Sequence, residues 1–232
     1  MSLNPKYEFD PVYDKWEDNR SETAYIHESA YVDSPCRIGQ NTRILHFSHV
    51  MANSIIGNHC HIGHNVTISS GVLIGNHVKV MNNATLNSGV ILQDDVYCGP
   101  STIFTDITHI RGKSQSISQI RPTLIKQGAH IGANTTLASG LSIGLYTFIE
   151  AGSVIDRNIP DFAIVCGNPL KIDGWRCACG SELSFKQQKA TCSNCGKHYV
   201  KDSERKHVAL REGSADHDSD SEFDPPVRST QG

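Results

Sequence analysis

The sequence predicts an all-β fold, a solenoid of short stacked strands, and three observations predict it. An aliphatic residue, or once a cysteine or phenylalanine, recurs every six residues. The run is Ile26, Val32, Ile38, Ile44, Val50, Ile56, Ile62, Ile68, Ile74, Val80, Leu86, Leu92, Cys98 and Phe104. The same spacing resumes at Ile125, Ile131, Leu137, Ile143, Ile149 and Ile155. A period of six fits neither a single helix nor an alternating strand, so it describes a repeat architecture. Within each hexad the second residue is often glycine and the fifth is small or β-branched, as in Ile74-Gly75-Asn76-His77-Val78-Lys79.

Taken in order, residues 1–22 precede the repeat and are expected to cap it through Tyr7, Phe9, Tyr13 and Trp16. The solenoid is expected over residues 23–174. β-Branched residues suit its strands. Asn and Gly suit its turns, because they tolerate a left-handed backbone. An inward aliphatic residue is buried only when successive coils stack. From Phe104 to Ile125 is 21 residues instead of six, so an extra 15 between about Thr105 and Thr123 are expected to leave the core as a loop. Pro160, just after Ile159, is expected to stop strand pairing. Residues 203–232 are acidic, serine-rich and poor in aliphatics, and disorder is expected there.

The eight cysteines form two sets. Cys36, Cys60 and Cys98 occupy interior positions of the repeat and read as buried thiols, while Cys166 stands apart. Cys177-Ala-Cys179-Gly and Cys192-Ser-Asn-Cys195-Gly are two knuckles separated by 12 residues, and they define a zinc-ribbon-like module over 175–202. Four thiolates suit a tetrahedral Zn²⁺ with no open position, so the metal is expected to be structural. His198 is not needed as a ligand and is expected at the surface. The N-terminus lacks a secretory signature, so a reducing cytoplasm is expected, which favours metal over disulfides. No apolar run is long enough for a membrane span. The formal charge of −3 is carried by the tail, which argues against a nucleic-acid partner and for a small molecule or protein.

The hexads Ile56-Gly57-Asn58-His59-Cys60-His61 and Ile143-Gly144-Leu145-Tyr146-Thr147-Phe148 resemble those of the hexapeptide-repeat acyltransferases, over roughly Ile26 to Pro169. The resemblance implies a left-handed parallel β-helix with three hexads per triangular coil of 18 residues, a homotrimer, and ligands between neighbouring subunits. It also implies that the loop walls the active site, and that coenzyme A lies near the closing motif Val165-Cys166-Gly167-Asn168-Pro169. Further blocks sharpen it: His46-Phe47-Ser48-His49-Val50-Met51, Val78-Lys79-Val80-Met81-Asn82-Asn83, Leu92 to Ser101, Arg121-Pro122-Thr123 and Gly174-Trp175. These resemble bacterial N-acetyltransferases of nucleotide-linked 3-amino sugars in surface-polysaccharide synthesis. Those acting on UDP-2-acetamido-3-amino-2,3-dideoxy-glucuronate come first. The dTDP-3-amino-3,6-dideoxyhexose N-acetyltransferases and other sugar O-acetyltransferases are the alternatives.

With 18 residues per coil, His46, His64, Asn82 and Pro100 stack on one edge beside Phe47, Asn65, Asn83 and Ser101. Aromatic, imidazole and amide groups converge there, with His46 and Phe47 as substrate-binding candidates. The implied reaction is attack by a sugar 3-amino group on acetyl-CoA, where positioning and oxyanion stabilisation supply much of the rate. The resemblance favours Asn82 or Asn83 for this, either orienting the amine through the carbonyl or binding the oxyanion through the NH₂. The departing thiolate could then take the proton. A histidine base stays open, with His49, His64 and His109 as candidates. Arg121, Lys79 and Arg111 are candidate anion binders. Gly132, Ala133, Ala138, Ser139, Ala151, Gly152 and Lys171 are candidates to line coenzyme A.

Two other functions fit parts of the pattern. A γ-class carbonic anhydrase would use His59, His64 and His77 on the same solenoid, but the position expected for a further ligand is Thr23. A non-catalytic scaffold would need neither the loop nor the polar edge at Asn82 and Asn83.

Overall fold

In the computed structural model, which describes residues 18–105, 121–202 and 207–211, every regular element is a β-strand. Most strands are two residues long and follow the six-residue period. They assemble three parallel sheets, the faces of a prism. Face A stacks Asn19–Arg20, Arg37–Ile38, Ile55–Ile56, Leu73–Ile74, Val90–Leu92, Thr123–Ile125 and Ser142–Ile143. Face B runs from Tyr25–Ile26 through Arg43–Ile44, His61–Ile62, Lys79–Val80, Tyr97–Cys98, His130–Ile131 and Phe148–Ile149 to Ala163–Cys166 and Lys171–Trp175. Face C stacks Tyr31–Val32, His49–Val50, Thr67–Ile68, Thr85–Leu86, Ile103–Phe104, Thr136–Leu137 and Val154–Ile155. The chain visits A, B and C in turn, so Arg43 pairs with His61 and His61 with Lys79, each 18 residues on. This is a parallel solenoid of about seven turns, a left-handed β-helix.

The repeat's chemistry explains the register. The second residue of each strand turns inward, and Ile44, Val50, Ile62, Ile68, Val80, Leu86 and Cys98 are 0% exposed. Each such aliphatic contributes on the order of 1.5–3 kcal/mol by burial. The residue two places earlier fills the corner. Ser48 is buried there, and its Oγ donates to the Gly63 carbonyl at 2.7 Å and accepts from the Val66 N–H at 3.0 Å. Thr42 does the same with Gly57 and Cys60. Small or hydroxyl-bearing residues therefore suit this position: the corner has little room, and its backbone groups need partners. Each turn includes a left-handed residue, at Phe47, Asn65, Asn83, Ser101, Asn134 and Gly152 on the B/C edge.

Leu92 pairs with Ile125, so the core frame resumes after the 15-residue insertion. The chain leaves and re-enters the prism at the C/A edge. Residues 106–120, with His109 and Arg111, lie outside the described residues.

Three expectations about the ends need correcting. Asn19–Arg20 pairs with Arg37–Ile38, so the solenoid begins inside the segment assigned to the cap. The cap aromatics lie outside the described residues. Pro160 does not end pairing: Ala163–Cys166 continues face B beside Phe148–Ile149, with Phe148 opposite Ile164. Pro160 falls in the A/B turn, where its missing N–H leaves the ladder intact. Lys171–Trp175 then closes the face in antiparallel fashion. Finally, residues 207–211 form a strand, paired with His198–Asp202, inside the segment expected to be disordered. The sequence alternation around Val208 and Leu210 suits a strand, and the acidic composition masked it. The rest of that segment lies outside the described residues.

Candidate active site and metal centre

The B/C edge is a continuous rail. Backbone N–H groups of Asn65, Asn83, Ser101, Asn134 and Gly152 each donate to the coil below, to His46, His64, Asn82, Pro100 and Ala133. From Phe47 to Gly152 there are five coil spacings of about 4.8 Å, or about 24 Å in all. One rail therefore gathers His46, Phe47, His64, Asn82, Asn83, Ala133, Ala151 and Gly152. The 18-residue harmonic of the sequence places His46, Phe47, His64, Asn82 and Asn83 together, and the structure adds Ala133, Ala151 and Gly152 beyond the insertion.

Asn82 and Asn83 are exposed side by side, but their carboxamides are partly committed. Asn82 Oδ1 accepts the His64 N–H at 2.9 Å, and Asn83 Oδ1 accepts from Asn65 Nδ2 at 3.0 Å. The Asn82 bond repeats a device of the A/B edge, where Asn58, Asn76 and Asp94 accept from Gln40, Asn58 and Asn76. The two carbonyl oxygens thus belong first to the coil ladder, which leaves the NH₂ groups as the donors these side chains can offer a ligand.

Below them the edge is aromatic. His46 stacks on His27 with ring centroids 3.5 Å apart and lies 4.9 Å from His64. Its Nδ1 is buried without a partner. Burial first, then the neighbouring His27 and His64, hold the His46 imidazole below its ordinary pKa, so it is neutral at pH 7. Phe47 is 71% exposed with φ of 59°, and Ser29 Oγ accepts its N–H at 3.2 Å. A bulky residue in left-handed backbone with its ring in solvent is a costly arrangement that a ligand can exploit.

The other candidates lie elsewhere. His49 is on the outer side of face C, its Nε2 3.2 Å from Asp33 Oδ2 and its ring edge-on to Tyr31 at 5.4 Å. Lys79 is exposed on face B between His61 and Tyr97. Arg121, Ala138 and Ser139 sit on the C/A edge, where Arg121 lies over Gly140. Lys171 is exposed at the start of the last strand of face B. Gly132 is buried, and a Cβ there would meet Ala151 N at 2.4 Å, so its smallness serves coil stacking rather than a ligand. Gly152, by contrast, faces open space with φ of 74°. Sequence reasoning missed His27 and Asp33. Strict 18-residue counting puts Glu28 under His46, whereas the ring that reaches it comes one position earlier. Asp33 lies 16 positions before His49, outside the stacking rule.

At the C-terminus, the sulfurs of Cys177, Cys179, Cys192 and Cys195 all lie within 4.8 Å of one another. Cys177 and Cys195 are 3.3 Å apart, and Cys179 and Cys192 are 3.5 Å apart, too long for disulfides and close to the edges of a tetrahedral thiolate set. Tyr199 Oη donates to Cys177 Sγ at 3.0 Å, the kind of outer hydrogen bond that orients a metal ligand. The donor set fits Zn²⁺. His198 is exposed and bonded to Thr191. This is the one such cluster among the described residues. His59 and His77 stack together on the A/B edge while His64 is on the B/C edge, so the three do not form one ligand cluster within the chain.

The family model of bacterial transferase hexapeptides (six repeats) matches residues 35–70, and that of the hexapeptide repeat of succinyl-transferase matches 54–88. Among solved structures, AntD, an N-acyltransferase from Bacillus cereus in complex with dTDP and coenzyme A, matches with a TM-score of 0.46 and 19% identity, over 68% of this chain and 84% of that one. GDP-perosamine N-acetyl transferase from Caulobacter crescentus gives a TM-score of 0.43 and 22% identity, over 66% of this chain and 57% of that one. The dTDP-3-amino-3,6-dideoxy-alpha-D-galactopyranose 3-N-acetyltransferase of Aneurinibacillus thermoaerophilus is 46% identical over 179 residues, 77% of this chain and 92% of that protein. The chain belongs to the hexapeptide-repeat acyltransferases. As an acyltransferase of this family it carries its polar rail on a rigid prism, and it adds a four-cysteine module to it. No helix among its described residues is long and apolar enough to cross a membrane.

Proposed function

We propose that this hexapeptide-repeat acyltransferase transfers the acetyl group of acetyl-CoA to the 3-amino group of a nucleotide-linked amino sugar. The observation that carries this reading is the B/C rail itself. It is aromatic and imidazole-rich at Phe47 and His46, amide-bearing at Asn82 and Asn83, and small at Ala133, Ala151 and Gly152. The nucleotide sugar occupies the first part and the pantetheine arm the last, so that amine and thioester meet at the asparagines. The amine attacks the thioester carbon, and an NH₂ of Asn82 or Asn83 donates to the oxyanion. The intermediate then collapses with loss of the thiolate. The amine proton passes to that sulfur, giving an amide and free coenzyme A. His64, on the rail one coil below Asn82, is the histidine placed to relay it. His49, paired with Asp33 on face C, is less well placed.

The rail is half a cleft. Beyond Tyr31 and the His49–Asp33 pair, the outer side of face C carries no charge along its strands: Thr67, Thr85, Ile103, Thr136 and Val154 line it, and Ile103 is 45% exposed. Face B carries Arg43, His61 and Lys79 instead. A homotrimer with face C toward its axis sets the B/C edge of one subunit against the C/A edge of the next. Arg121, Ala138 and Ser139 of one chain would then face Asn82 and Ala133 of another. The expected setting is cytoplasmic.

The 46% identical relative favours a dTDP-linked 3-amino-3,6-dideoxyhexose as the acceptor. A UDP-linked 3-amino-glucuronate is the second reading, because Arg121 at the facing edge could pair with its carboxylate. The test is coenzyme A release with dTDP- and UDP-linked 3-amino sugars, each with and without a C6 carboxylate. Release with none of them, on protein that binds acetyl-CoA, sinks the proposal; release with a 3-hydroxy sugar alone moves it to O-acetylation. The four-cysteine module we assign to structural Zn²⁺, held by Cys177, Cys179, Cys192 and Cys195.

A further inference from the structure

A solenoid has an open end that must be covered. Here the C-terminal end is covered by the four-cysteine module: Trp175, Cys177, Leu183, Ala190, Cys192 and Tyr199 share one hydrophobic cluster with Phe162, Ala163 and Val165 of the last coil. Two contacts carry the junction. Tyr199, 1% exposed, meets the Phe162 ring edge-on at 5.2 Å while its hydroxyl donates to Cys177 Sγ. Arg176 donates its backbone N–H to Phe162 O at 2.8 Å and lays its guanidinium over Phe148 at 4.7 Å. From there the path reaches the rail. The strand Lys171–Trp175 pairs with Ala163–Cys166. Val165 O accepts the Glu150 N–H at 2.9 Å, and Gly167 N–H donates to Ser153 Oγ at 3.1 Å. The corner so pinned holds Ala151 and Gly152.

We infer that the metal is the lock on this end cap. The module is too small to supply its own core, so it folds when the four thiolates close on the ion. Once folded, it seals the last coil and fixes the coenzyme end of the rail. This rests on the zinc assignment above and is independent of which sugar is acetylated.

The experiment uses the full chain. Zinc content is measured by elemental analysis, and amide hydrogen exchange is followed in the loaded, chelator-stripped and reloaded protein. We expect about one zinc per chain. On stripping, exchange across 148–167 should accelerate at least about tenfold and recover on reloading, while strands from 43 to 92 keep their protection. The paired substitution Cys179→Ser and Cys195→Ser, at the two exposed ligands, should reproduce the stripped pattern. A loaded protein whose last coil is unchanged by stripping overturns the lock and leaves the zinc assignment standing. Equal loss of protection in every coil also overturns it, since the metal would then hold the whole fold. A chain that takes up no zinc overturns both.

Discussion

At Asn82 the carboxamide oxygen is held by the His64 N–H, which leaves the NH₂ group as the donor the side chain can offer. Asn82→Asp keeps the acceptor and removes the donor. Asp94 shows that a carboxylate can fill that role, accepting the Asn76 N–H at 2.7 Å. Asn82→Asp should therefore fold normally, with turnover lowered about 10²–10³-fold, the usual cost of an oxyanion donor. Wild-type turnover in this variant and in Asn83→Asp would rule out the amide pair as donors. His46 makes a different prediction. Its folded pKa lies below its ordinary 6.5, so the unfolded chain takes up a proton that the folded chain refuses. Stability should fall as pH drops through about 6.5, and a thermal melt series from about pH 7.5 to 5.5 should be flatter for His46→Gln. Some slope will remain, because burial also holds His61 and His130 down. The stacking of His46 over His64 was legible in the sequence. The His27 contact was not, because it depends on where rings reach rather than on the period.

Several turns of the prism set a glycine on one coil against an amide or acid on the next, as Gly39, Gly57 and Gly75 do with Asn58, Asn76 and Asp94. At Gly63 an added Cβ would lie 2.5 Å from Asn82 Oδ1 and 2.7 Å from its backbone nitrogen. Gly63→Ala should therefore cost about 1–3 kcal/mol in denaturant titration, as overpacking does. It should also lower turnover by displacing Asn82. A variant as active and stable as wild type would mean the coils separate more easily than this contact allows. The hexads made these turns legible, and Leu92 opposite Ile125 confirms that the insertion leaves the core in register. Pro160 misled because proline was read as a stop, although at a corner it removes no ladder bond. Gly132 misled for a related reason: smallness can admit a ligand or a neighbouring coil, and composition does not distinguish the two.

For the whole molecule, the placement of Arg121 and Asn82 on different edges makes a sharp test of assembly. If one subunit supplies the B/C edge and its neighbour the C/A edge, then Asn82→Ala and Arg121→Ala chains should complement. Unfolded together and co-refolded in equal amounts, they should recover about a quarter of wild-type activity, since random trimers contain intact mixed sites. Recovery no better than the two parents alone would put both residues in one subunit's site or remove Arg121 from it. By itself the sequence determined the solenoid, its coil length, the site of its insertion and the four-cysteine cluster, because each follows from spacing along the chain. Only the tertiary structure decided which amide atoms are spent on the ladder, and which small residues face solvent. It also decided that the cysteine module shares the core of the last coil. Those outcomes depend on contacts between coils and on side-chain direction, which a period cannot encode.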